Sequence, residues 1–137
     1  MTLMKGSRNS KKPYIDTLLL EEKAGYEQQV AVAQWIQAFG VFYEAILLSK
    51  LYSFTEESGG DTKIIIGIWV QTLGQLVEAS AVSAQLTALS ESALLKAQQF
   101  AVSGDLLQSV GAGLQAIGGE EILAADGIGN VSPEIIP

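Results

Sequence analysis

The sequence contains no cysteine and no histidine. The first absence removes disulfides, thiolate metal sites and any cysteine nucleophile. The second removes the one side chain that titrates unperturbed near neutrality, and with it the commonest metal ligand. The chain is therefore expected to be no enzyme, and to hold neither cofactor nor metal. Proline is confined to Pro13, Pro133 and Pro137, so nothing between residues 13 and 133 forces a helix to break through a missing N–H. Aromatics reach only 7%, and the 48% apolar content is carried mainly by small and aliphatic residues. Such a composition fits closely packed helices better than a β-sandwich, which wants more Thr, Tyr and turn residues. At 137 residues the chain is one domain's worth, long enough to bury a core.

Positive charge is also scarce, and unevenly placed. Lys5, Arg8, Lys11 and Lys12 precede Pro13 with no acid among them, whereas the rest sets four lysines against fifteen acids, a net −11. An anionic body of that kind repels phosphate, so nucleic acid is not an expected partner. "MTLMKGSRNSKKP" leads into "YIDTLLLEEK", where acids interrupt the apolar run before it could serve as the core of a secretory signal. The uncharged stretches 28–43 and 64–77 contain glutamine and fall short of a membrane span. The expected location is the cytoplasm.

What is present is a repetition. "WIQAFGVFYEA", residues 35–45, returns as "WVQTLGQLVEA", residues 69–79, and in more worn form as "LLQSVGAGLQA", residues 106–116. The first copy supplies Ala33, Trp35, Gln37, Gly40 and Glu44; the second supplies Gly67, Trp69, Gln71, Gly74 and Glu78. The third supplies Gly104, Leu106, Gln108, Gly111 and Gln115, and the offsets are 34 and 37 residues, within the range of helical-array repeats.

Steps of four, three and four place the small residue, the Gln, the Gly and the Glu or Gln on one stripe of a helix. In the second copy the stripe runs on through Ala81, Gln85 and Ala88. Small residues let a partner helix approach closely, and the interleaved amides can hydrogen-bond across the contact. A mid-helix glycine costs about 1 kcal/mol relative to alanine, so its recurrence calls for a packing reason. Ile65, Ile68, Trp69, Leu76, Val82, Leu86 and Leu89 line a neighbouring apolar face, so each helix has two faces to bury. Trp35, Trp69 and Leu106 are expected as apolar anchors.

Capping residues set the expected boundaries. A first helix should start at Asp16 or Thr17 and reach Phe54, with a kink at Gly25 or Gly40. The loop 55–62 should end at a cap on Asp61 or Thr62, and a second helix should run to Ser103 unless Ser90 restarts it. The break at Ser103–Asp105 should open a third helix closed by Gly118–Gly119. The expected fold is all-α: a long antiparallel helical hairpin plus a shorter third helix, built from a degenerate repeat of about 35 residues. The expected organisation is a basic arm over 1–13, one helical repeat domain over 14–125 and a tail over 126–137.

"GDLLQSVGAGLQAIGGE", residues 104–120, resembles repetitive proteins of Bacillus and related spore-formers, which carry strings of the type G-N-x-L-Q-A-x-G. Gly104, Leu107, Gln108, Gly111, Leu114, Gln115, Ala116, Ile117 and Gly118 carry the likeness, together with the Trp–Gln–Gly segments of the other two copies. The Asn of that pattern is Asp105 here and Ile68 in the second copy. The resemblance implies a helical repeat of unknown function, a possible spore association and no catalytic residue.

Glu44 and Glu78 occupy equivalent positions and could in principle hold a metal. A di-iron bundle, however, takes Glu-x-x-His from two of its helices, and there is no histidine. "SGGD" and "IGGEE" lack the P-loop pattern and are followed at once by acids. Packing is the better account of all these residues. The expected function is structural, a chain that self-associates through its small/Gln-rich seams into a homo-oligomer, fibre or lattice. Association with a membrane is the alternative.

Overall fold

A computed structural model describes residues 12–55 and 59–126. The expected arm up to residue 11 and the tail from residue 127 lie outside the described residues. Within them the chain is all-α, with three helices: α1 Lys12–Tyr52, α2 Gly59–Leu86 and α3 Glu91–Asp126.

Helix α1 is 41 residues long, about 60 Å at 1.5 Å per residue. It starts before the expected cap at Asp16 or Thr17. Pro13 falls in its first turn, where a missing N–H forfeits no hydrogen bond. It runs unbroken through Gly25 and Gly40. Beyond its end at Tyr52, Ser53 Oγ donates to Lys50 O at 2.6 Å and Thr55 Oγ1 to Tyr52 O at 3.0 Å, which satisfies carbonyls that the helix leaves over. Helix α2 starts at Gly59, so Asp61 sits in its first turn, where its charge favours the helix dipole.

The chain breaks at Thr87–Ser90, and α2 does not continue to Ser103. Ser90 is the reason. Its Oγ accepts from the Ala93 N–H at 3.1 Å and its carbonyl accepts from the Leu94 N–H at 3.0 Å, an N-cap that opens a new helix. Ala88, expected on the α2 stripe, therefore lies in the connection. Two further expectations are corrected. Gly104 and Gly118–Gly119 do not end helices but lie inside α3, whose 36 residues make it longer than α2 with 28.

Helix α2 is central, with α1 on one side and α3 on the other. Against α3 the residue numbers run in opposite senses: Gly60 meets Gly118, Gly67 meets Gly111 and Gly74 meets Gly104. The buried apolar residues are Ala31, Ala38 and Ala45 of α1, Ile68, Ala79 and Ala81 of α2, and Ala97 of α3. The largest side chains that are fully buried are Ile68 and Thr72, each 1% exposed. Many of the large apolar side chains are exposed, Phe39 and Tyr43 among them. Small and polar residues are inside and large apolar ones outside, the reverse of the usual partition.

Removing the Ser90 cap should cost about 1 kcal/mol of stability. Chemical denaturation of Ser90→Ala measures it, and a midpoint equal to the parent's would show that the cap does not set this boundary.

Candidate functional site

The α2·α3 seam is built from seven-residue steps on both helices. Gly60, Gly67, Gly74 and Ala81 face Gly118, Gly111, Gly104 and Ala97 in that order, all of them buried. A Cβ placed on Gly74 would lie 2.6 Å from Gly104 O and 2.7 Å from Gln108 N; one on Gly111 would lie 2.5 Å from Gly67 O. Real side-chain carbons do not approach backbone so closely, so only glycine fits. The two backbones touch.

Between these glycines lie the polar members of the stripe. Gln115 Nε2 donates to Gln71 Oε1 at 2.5 Å, and Gln108 Nε2 donates to Glu78 Oε2 at 2.5 Å. Outside them, Lys63 pairs with Glu121 near one end of the seam. The structure thus brings together the eight stripe residues of the second and third segments. The four of the first copy are not. Ala33, Gln37, Gly40 and Glu44 all face away from α2 and are exposed, and a Cβ on Gly40 would meet nothing within 4 Å.

Helix α1 instead reaches α2 through a second stripe, Ala31, Ala38 and Ala45, again in sevens. The tryptophans flank this contact in reciprocal fashion. Trp35 Nε1 donates to Ser83 Oγ at 2.8 Å, and Trp69 Nε1 donates to Ser49 Oγ at 3.0 Å. Both indoles are half-buried, with Phe42 edge-on to Trp69 at 6.0 Å between centroids. They anchor as expected, but through a polar handle as much as an apolar face. Leu106 does not anchor: it is 63% exposed, because the corresponding face of α3 has no helix against it.

Glu78 joins the two contacts. Its Oε1 accepts from Gln34 Nε2 of α1 at 3.0 Å while its Oε2 accepts from Gln108 of α3. Gln34 Oε1 in turn accepts from the buried Gln75 at 2.6 Å. A chain of amides and one carboxylate therefore crosses all three helices, and among the described residues no buried side-chain N or O lacks a partner. Gln34, Gln75, Ser49 and Ser83 were missed from sequence, as was the role of Ala31, Ala38 and Ala45 as a second stripe. Ser49 and Ser83 carried a readable signal, since they are 34 residues apart as the tryptophans are. Gln34 and Gln75 carried none, because they lie outside the shared motif.

A groove of about 420 Å³ between α2 and α3 is lined by residues such as Leu76, Val77, Ala84 and Phe100, with Ser80 its one hydroxyl. Among the described residues no three acidic side chains gather as metal ligands.

Residues 16–134 match the model of a family described as "family of unknown function (DUF6944)". The chain belongs to that family. No curated protein and no solved structure matches it.

Two measurements test the seam. Gly74→Ala should lose about 1–3 kcal/mol or more by overpacking, whereas Gly113→Ala, where an added Cβ meets nothing within 4 Å, should gain up to about 1 kcal/mol from helix propensity. Equal effects in denaturant titrations would mean that the seam is not a close contact. Glu78→Gln should stay within about 1 kcal/mol, because Gln108 can turn its amide to accept and reproduce the Gln71–Gln115 pair. Glu78→Leu should lose about 1–3 kcal/mol for each amide left unpaired, and a neutral Leu variant would remove Glu78 as the link between the helices.

Proposed function

We propose that this chain is a non-enzymatic structural protein that associates with copies of itself into an oligomer, fibre or lattice. The supporting observation is the reversed partition of side chains. Ile36, Phe39, Tyr43 and Leu47 of α1 and Phe100, Leu106 and Val110 of α3 are all exposed, while the contacts inside the chain use glycine, alanine, threonine and glutamine. Contiguous apolar surface on this scale marks a contact site. The helices read as variations of one degenerate repeat, each with two faces suited to a neighbour. Among the described residues, only α2 has both faces occupied.

A membrane is the second reading, and one observation favours it. The segments Tyr14–Tyr52 and Gly59–Leu86 are long and apolar enough to cross a bilayer. Polar groups paired inward with apolar groups outward is also how membrane helices associate. The first reading is preferred because Glu44, eight residues before the end of α1, is exposed and would face lipid with no partner among the described residues.

Sedimentation of the full chain with and without liposomes separates the two. Self-association predicts a species heavier than one chain in lipid-free buffer, and little change when vesicles are added. A lipid-free monomer that floats with vesicles overturns it in favour of the membrane.

A further inference from the structure

We propose that α1 pairs with α1 of a second copy across a two-fold axis, in the register that α2 and α3 use within one chain. This rests on the self-association reading above and specifies its interface.

The template is the α2·α3 seam. There Gly67 faces Gly111, Gly74 faces Gly104, Gln71 is bonded to Gln115 and Glu78 to Gln108. Helix α1 carries the same motif as Ala33, Gln37, Gly40 and Glu44, and among the described residues its stripe has no helix against it. Placing α1 where α2 stands, and a second α1 where α3 stands, sets Gly40 against the second copy's Ala33 and Ala33 against its Gly40. The same register sets Gln37 against the second copy's Glu44, and Glu44 against its Gln37. Every contact is matched by its reciprocal, which is the requirement for a closed two-fold interface.

The pairing is also chemically complementary. Each Glu44 carboxylate would accept from a Gln37 amide, as Glu78 accepts from Gln108 at 2.5 Å. Along the free stripe, Tyr26, Val30, Ala33, Gln37, Gly40, Glu44, Leu47 and Leu51, no other register sets both small residues against small residues. One further turn out, Val30 would meet Leu51 of the second copy at the places that Ile64 and Ile122 hold in the template, and both are exposed in the single chain. Ala33 stands where the template has Gly67 and Gly104, and Tyr26 and Leu47 stand where it has Gly60, Ala81, Ala97 and Gly118, so the two α1 helices would keep the register but pack further apart than α2 and α3. The apolar side chains beside the stripe, Ile36 and Tyr43, then fall against the partner's flank.

The test is a charge swap in the full chain, followed by sedimentation in lipid-free buffer, with circular dichroism to check the fold. Gln37→Glu alone places two carboxylates face to face at each pair and should weaken dimerisation roughly tenfold or more. Adding Glu44→Gln restores one carboxylate and one amide per pair and should return the affinity to within about threefold of the parent. Gly40→Leu, which meets nothing inside the chain, should also dissociate the dimer. An oligomer that ignores both Gln37→Glu and Gly40→Leu, or a swap that fails to recover, overturns this interface but leaves self-association standing. A parent that is monomeric at all concentrations, or that associates only on vesicles, overturns both.

Discussion

Contact between the backbones of α2 and α3 is the constraint on which the other features depend. At Gly60, Gly67, Gly74, Gly104, Gly111 and Gly118 a Cβ would lie 2.5–2.7 Å from a carbonyl oxygen of the facing helix. Helices that close cannot keep large side chains between them. What remains is dispersion between backbones and hydrogen bonds among the interleaved amides, each worth about 1 kcal/mol net. The large apolar residues are consequently displaced to the flanks and outer faces. The reversed partition is therefore a consequence of the glycines, not a separate feature.

The α1·α2 contact solves the same problem with different residues. Alanine replaces glycine at Ala31, Ala38 and Ala45, which sets the backbones further apart and leaves room for Thr72 and Ile68. The extra space is bridged at both ends by an indole reaching a serine on the other helix. Glu78 lies between the two contacts and accepts an amide from each side, so the spacing of one contact is felt in the other. Either amide left unpaired in a half-buried site costs about 1–3 kcal/mol, which makes this single carboxylate a condition for both neighbours.

The seam could be read from sequence because its signal is periodic. Small and amide residues at steps of four and three fall on one helical stripe whatever the tertiary structure. The glycines' other role could not be read. "SGD" around Gly104 and the pair Gly118–Gly119 carry the composition of a helix end, yet both lie inside α3. At Gly104 and Gly118 a close neighbour, absent from any local window, decides between a break and a seam. Ser90 is the converse case, a real break marked only by a hydroxyl and a following Glu91. The sequence also made the three copies look equivalent. They differ in partner, since Gly40 has open space where Gly74 has Gly104, and nothing in the motif itself distinguishes them.

That difference follows from counting faces. Helices α1 and α2 each offer a Gly/Gln face and an Ala/Trp face, while α3 has the first and no tryptophan on the second. Helix α2 uses its Gly/Gln face on α3 and its Ala/Trp face on α1, so among the described residues the Gly/Gln face of α1 and the corresponding second face of α3 have no helix against them. The two free faces are not equal. At the α3 positions that correspond to Ile68, Trp69 and Ser83, the chain has Asp105, Leu106 and Glu120, all exposed. A charged residue replaces the buried isoleucine, no indole remains to donate, and an acid replaces the accepting serine. The free face of α3 has lost the features of a contact, while that of α1 keeps Ala33, Gln37, Gly40 and Glu44 intact. A helix with no neighbour on that side gains nothing from an interior glycine, which costs about 1 kcal/mol against alanine. On the proposed α1·α1 pairing, the second copy's backbone is what Gly40 would make room for.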